Sequence, residues 1–455
     1  MSPQNISPQN MSLKITRLAA RLAVMLLILA GCFSPALAPS ALAVPVQQLV
    51  TPGGIAFWYV RDDSLPMIRL QMAWRGGAAA ATPGAAQFLA SLLDEGAGEM
   101  TALTFQNRLA DIGADLSFSA DRDALTGSLR VLTQHGDAGF ALLSQAVTTP
   151  RFDADAVERI RRQLRAGQKK AAARPGQIAS DAWWADAFKI HPYANPVRGT
   201  AESVAAISKD ELHALHAKML ARDNLVLAIV ANLPPRRMMQ LVDDSFTRLP
   251  EKTALPPVPE ADILPMPQTK LIPFPGPQTE IVFGHAGLGY TDADFYPAYV
   301  LNYILGGGGF ASRLTEEIRE KRGLAYGVYS YLYPLTAGSV WLGGVASSNA
   351  TAAQAATLVR QTIADILQNG VTESELANAK NYLTGAYALR FDSGQKIAGQ
   401  MLAAQRNGFP ADYFIRRNDL IHAVSRADVE RAAKKLLKPE QLRMIAVGAP
   451  ENWPQ

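Results

Sequence analysis

Residues 204–231, VAAISKDELHALHAKMLARDNLVLAIVA, align without a gap on residues 421–448, IHAVSRADVERAAKKLLKPEQLRMIAVG, at an offset of 217. Ser208 falls on Ser425, Leu212 on Val429, Lys218 on Lys435, Leu225 on Leu442 and Val230 on Val447. Each copy holds a Ser suited to cap a helix, an amphipathic stretch, a short break and an apolar run of strand length. Two copies of one supersecondary unit in a chain of 455 residues indicate an internal duplication.

The correspondence extends backwards. Residues 154–164 (ADAVERIRRQL) pair with 373–383 (ESELANAKNYL), the helical stretch 105–112 pairs with 314–321, and 134–147 and 350–368 occupy matching places as helices. Strand-like runs at 71–74, 124–131, 280–284 and 339–345 alternate with these helices. The expected fold is α+β: two homologous sandwich domains, each a mostly antiparallel sheet covered by helices on one face. Residues 249–276 are too rich in Pro for a helix or a central strand. The expected organisation is an export signal over 1–43, a first domain over 44–250, a Pro-rich linker over 251–276 and a second domain over 277–455.

Charged residues make up 18% of the chain and the net charge of +4 is dispersed, so no nucleic-acid footprint is read. Lys14, Arg17 and Arg21 precede the apolar run from Leu22 to Phe33, which Pro35 and Pro39 soon follow; this is the pattern of a Sec-type export signal. Met11 opens a more conventional signal than Met1. Leu29-Ala30-Gly31-Cys32 has the form of a lipobox, with Cys32 as the lipidation site, while Ala41-Leu42-Ala43 has the form of an ordinary cleavage site. Both readings place the folded chain in the periplasm, and any membrane attachment would be through the lipid. Cys32 is the single cysteine, so no intrachain disulfide forms.

Residues 301–331, LNYILGGGGFASRLTEEIREKRGLAYGVYSY, resemble the second-domain signature of the M16 (pitrilysin/insulinase) peptidases. AAQFLASLL at 85–93, HPYANPVRGT at 191–200 and residues 203–232 are similar to other segments of that family, in family order. The resemblance implies tandem domains forming half of a clamshell around a peptide chamber. It also locates what is missing. Active members carry His-x-x-Glu-His on a helix, two imidazoles for zinc and a Glu to activate its water; here Gln87, Ala90 and Ser91 stand in those places. The third ligand would fall within Arg165-Ala166-Gly167-Gln168, and no Asp or Glu occurs between Glu158 and Asp181. Catalytic zinc needs three protein ligands and an open position, so neither a cofactor nor a metal site is expected in this chain.

In the second half, Arg319 and Tyr326 match the spacing of the Arg and Tyr that the family uses to hold substrate backbone and a developing oxyanion. Arg322 is the alternative register. Without the resemblance, both would read as a solvated helix residue and a strand aromatic. Gly306, Gly307, Gly308 and Gly309 read equally as a helix-breaking turn or a loop at the substrate entrance; no Gly-Lys-Ser/Thr follows to make a phosphate loop. Among the histidines, His213 and His216 lack a third ligand and read as packing, while Trp183, Trp184 and Phe188 read as core. The resemblance therefore implies a non-catalytic subunit that lends Arg319 and Tyr326 to a zinc-bearing M16 partner for cleavage of unfolded peptides. A homodimeric, stand-alone peptide-binding or assembly protein is the alternative.

Overall fold

The computed structural model describes residues 45–263 and 268–453. The expected export signal, Cys32 and both cleavage readings lie outside the described residues. The strands are β1 (Gln47–Val50), β2 (Ala56–Arg61), β3 (Met67–Arg75), β4 (Asp115–Ala120), β5 (Ala124–Leu132), β6 (Leu225–Ala231), β7 (Gln268–Pro273), β8 (Gln278–Ala286), β9 (Ala325–Tyr333), β10 (Val340–Ser348) and β11 (Arg443–Gly448), beside a small hairpin of Gly96–Ala97 with Met100–Thr101.

They form two open sheets, ordered β1-β2-β6-β3-β5-β4 and β9-β10-β8-β11-β7. With the extra edge strand β1 set aside, the two orders are the same pattern. In both sheets, one parallel pair (β2 with β6, β7 with β11) joins otherwise antiparallel neighbours. The repeated segments supply corresponding parts: Ser208 and Ser425 cap the helices Lys209–Met219 and Arg426–Leu436, and the apolar runs become β6 and β11.

The structure corrects the expectation of helices on one face, because both faces of each sheet are covered. Along β3, Ile68, Leu70, Met72 and Trp74 join the core beneath the first half's own helices, whereas Ala73 faces the other side with Trp58, Val60 and Val230. That second side is covered by the helix Gly394–Arg406, which belongs to the other half of the chain. The exchange is mutual. The helix Pro175–Phe188 crosses to the second sheet, where Trp183 and Trp184 pack with Leu342, Ile445 and Val447. Gly284 leaves the room that Trp183 occupies, since a Cβ there would lie 3.1 Å from the indole. Trp183 and Trp184 are thus core, in the sheet of the opposite half.

The Pro-rich segment is also more ordered than a linker. Its last part is β7, paired in parallel with β11 at the edge of the second sheet. An edge strand tolerates Pro273 because one of its sides needs no ladder donor. Further back, Ala254 N–H donates to Lys218 O and Ala261 N–H to Ala337 O, so the segment is strapped to both halves. No helix among the described residues is long and apolar enough to cross a membrane.

Candidate functional site: the helix at Gln87 and an Arg–Tyr pair

The helix Ala85–Ala90 starts on Gly84, whose φ of 90° is in the left-handed region that favours glycine. Gly84 lies against Gly199 (φ 66°), and a Cβ on either would come within about 3 Å of the other's backbone. The loop 191–200 is thereby seated on the start of this helix. Gln87 and Ser91 follow one turn apart, as two ligands on one helix face must. They bond to each other instead: Gln87 Nε2 donates to Ser91 Oγ at 3.1 Å, Ser91 Oγ donates to Gln87 O at 2.9 Å, and Gln87 Oε1 accepts from Ala120 N–H at 3.2 Å. Ala90 is fully buried.

Gln87 opens on a cleft of about 300 Å³ shared with Arg122, Asp181 and Arg198. The Arg122 guanidinium lies 3.6 Å over the Trp184 ring, and burial pushes its pKa down from the usual arginine range. Arg198 is ion-paired with Asp181, which also accepts from Gln177 Nε2 at 2.9 Å. Gln168, in the segment where a third ligand would stand, donates from Nε2 to Arg198 O and Thr200 O at 2.9 and 3.0 Å. Amides, a hydroxyl and two guanidiniums surround this point, and the acid among them is already paired. Such a donor set does not fit a zinc ion. No group of three or more His, Cys, Asp or Glu placed to hold a metal ion occurs among the described residues. Arg122, Asp181 and Arg198 escaped the sequence reading as members of this cleft. Arg198 and Asp181 were legible only as part of a family-like loop and as the first acid after Glu158; Arg122 gave no signal.

The second half brings together what its sequence placed apart. The helix Phe295–Asn302 runs into a π-turn, Tyr303–Gly307, in which Gly306 is buried and a Cβ on it would lie 2.4 Å from Ser330 Oγ. Asn302 fixes this junction, accepting from Ser330 Oγ and Trp341 Nε1 and donating to Ser330 O. Gly306 is therefore required by close packing, whereas Gly309, at φ 57°, turns the chain outward. Phe310 follows on the surface, 70% exposed.

Arg319 sits on a second π-turn, Glu316–Glu320, and Tyr326 on a bulge in β9 where the register with β10 shifts between Ala325 and Gly327. Bulges and π-turns re-aim side chains that a regular element would bury or misdirect. Tyr326 is 86% exposed at the edge of the sheet, and the Arg319 guanidinium lies between two rings, 4.5 Å from the centre of Phe310 and 5.0 Å from that of Tyr326. Its carboxylate neighbour is Glu320, at 3.4 Å. Arg322, by contrast, donates to the Glu317 carboxylate at 2.6 Å and to Glu317 O at 2.8 Å. Arg319, not Arg322, shares a surface with Tyr326.

Beyond Tyr326, β9 carries Tyr329, Tyr331 and Tyr333 in ring contact along one face, and Tyr333 meets Trp184 beside Arg122. Ring contacts thus run from Tyr329 through Tyr331 and Tyr333 to Trp184, and Arg122 over Trp184 lines the cleft at Gln87. His213 and His216 pack against Phe152, and His216 Nε2 lies 2.9 Å from Val147 O. They are packing residues.

Residues 78–201 match the family model of insulinase (peptidase family M16), and residues 206–383 match that of the peptidase M16 inactive domain. A solved M16 inactive domain from Pseudomonas fluorescens shares 30% identity at a TM-score of 0.83, covering 90% of this chain and 99% of its own. Helicobacter pylori has a relative named non-peptidase homolog YmxG, 26% identical over 76% of this chain and 80% of its own length. An uncharacterized zinc protease of Mycobacterium leprae is 27% identical over 81% and 84%.

Proposed function

This chain belongs to the M16 peptidase family, and from that premise we propose that it is the non-catalytic, substrate-contacting subunit of an exported zinc peptidase. The observation that carries the reading is a division between the halves. Gln87 and Ser91 satisfy each other where zinc ligands would stand, while Arg319 and Tyr326 converge on an exposed edge, Arg319 held by one long ion pair to Glu320. A guanidinium and a phenol so displayed suit hydrogen bonding to a peptide carbonyl, and to the oxyanion it becomes in the active site of a zinc-bearing M16 partner. The zinc belongs to that partner, and the unfolded peptide lies between the two chains. The name of the Helicobacter relative supports the non-peptidase half of this reading, and the names of several other relatives support zinc in the partner's half.

The test is to purify the mature chain and mix it with an M16 protein that carries His-x-x-Glu-His. The expected outcome is co-elution of the two chains on size exclusion and peptide cleavage well above that of the zinc chain alone. If this chain elutes as a homodimer that binds extended peptides and leaves the other chain's activity unchanged, it is a stand-alone binding protein instead.

A further inference from the structure

The second half encloses a cavity of about 280 Å³ whose wall includes neither Arg319 nor Tyr326. It lies among the helices Phe295–Asn302, Gly394–Arg406 and Tyr413–His422 and the end of β9. Tyr299, Tyr331 and Phe409 make its walls largely aromatic. No Asp or Glu lines it, but Arg390 and Arg417 do.

Arg417 is 4% exposed, and among the described residues no carboxylate pairs with it. Its Nη1 donates to Leu383 O and Asn418 Oδ1, both at 3.1 Å, and its guanidinium carbon lies 3.9 Å over the Tyr387 ring and 5.8 Å over that of Tyr299. Ring faces offset part of the cost of a buried cation, but they do not replace a counter-charge. A second, independent feature points the same way. Tyr387 is 6% exposed, lines the same cavity, and its hydroxyl has no hydrogen-bond partner. Buried donors are satisfied in nearly every protein, so one that faces a cavity calls for an explanation. Arg390 stands at the exposed rim and has no ion-pair partner among the described residues.

We propose that this cavity binds a single carboxylate carried on an aromatic or apolar body, either a small free acid or the C-terminal residue of a peptide. The guanidinium of Arg417 and the Tyr387 hydroxyl take the carboxylate, with Arg390 at the mouth. The rings of Tyr299, Tyr331 and Phe409 hold the apolar body. The volume, near the lower end of ligand pockets, suits one residue rather than a long chain. The site needs no partner subunit and no zinc, so it stands or falls independently of the peptidase reading.

Calorimetric titration of the purified chain with 3-phenylpropionate and with 3-phenylpropanamide tests it. The acid is expected to bind at least about tenfold more tightly than the amide, the difference that a charge-assisted hydrogen bond makes. Arg390→Gln, at an exposed position that leaves folding intact, is expected to weaken the acid several-fold. Tyr387→Phe is expected to do the same, with near-UV circular dichroism verifying the fold. A peptide ending in Phe, offered as free acid and as amide, separates the sources: binding of the free-acid peptide assigns the site to peptide C-termini, and its failure beside binding of 3-phenylpropionate assigns it to small acids. Equal affinity for acid and amide, no binding of either, or an Arg390→Gln protein that binds the acid as the wild type does would overturn the proposal. Displacement of the acid by an equal concentration of inorganic phosphate would overturn the apolar part of it.

Discussion

Arg319 and Tyr326 owe their meeting to two local irregularities, a π-turn and a bulge, and neither is visible as such in the string REKRGLAY. Sequence spacing named the pair through its resemblance to a family signature; the choice against Arg322 required seeing Arg322 tied to Glu317. Because Tyr326 is exposed and Arg319 has one long ion pair, Arg319→Ala and Tyr326→Phe should change stability by no more than about 0.5 kcal/mol, measured by urea unfolding. A loss of several kcal/mol would make them structural residues. Arg313, six positions earlier, is of the opposite kind. It grips the Glu375 carboxylate through Nε and Nη2 at 2.6 and 2.8 Å, and also holds Asp365 and Gly370 O. Burial opposes ionisation of Glu375, but hydrogen bonds from Arg313 and Thr372 outweigh it and hold the carboxyl at about 2. Its folded value lies below its unfolded one, so its contribution is present above about pH 4.5 and is lost as the pH falls toward 2. Glu375→Gln should therefore cost about 2 kcal/mol at pH 7 and almost nothing near pH 2; a cost independent of pH would contradict this.

At the scale of elements, the helix Ala85–Ala90 divides its two sides between the core and hydrogen bonding. Its packing is intact, with Phe88, Leu89 and Ala90 buried, and its polar face has become self-satisfied. Gly84 and Gly199 seat the loop 191–200 against the start of this helix, each at a left-handed φ and each without room for a Cβ. Gly199→Ala should destabilise the fold by roughly 1–3 kcal/mol, since it combines a left-handed φ with a contact of 2.7 Å to Pro83 O. Thermal melts that match the wild type would show that the loop yields. The element that sequence misjudged is β7, hidden because Pro density argues against strands in general but not against edges.

For the molecule as a whole, the duplication was legible from the aligned segments 204–231 and 421–448, but the strand order within the sheets and the exchange of helices were not. Gly394–Arg406 and Pro175–Phe188 carry apolar residues without any address saying which sheet they cover. One signal was present and misread: LVLAIVA, and MIAVG after Arg443, are continuous apolar runs, as strands buried on both faces must be, whereas a sheet covered on one face would alternate. The exchange makes the halves interdependent. Residues 45–263 and 268–453 produced separately should each fail to fold and should complement on co-expression, and Met401→Ala should cost about 2–5 kcal/mol while lowering both halves' stability in one transition; two resolved transitions would contradict it. On the proposed reading, this chain lends a substrate-holding pair to another chain's zinc site. The direct measurement is kcat/KM for peptide cleavage by the reconstituted complex, comparing wild type with Arg319→Ala in this chain at matched complex formation. A loss of roughly a hundredfold or more is expected, as for removal of an oxyanion donor; unchanged kcat/KM in a fully formed complex would rule out that role for Arg319.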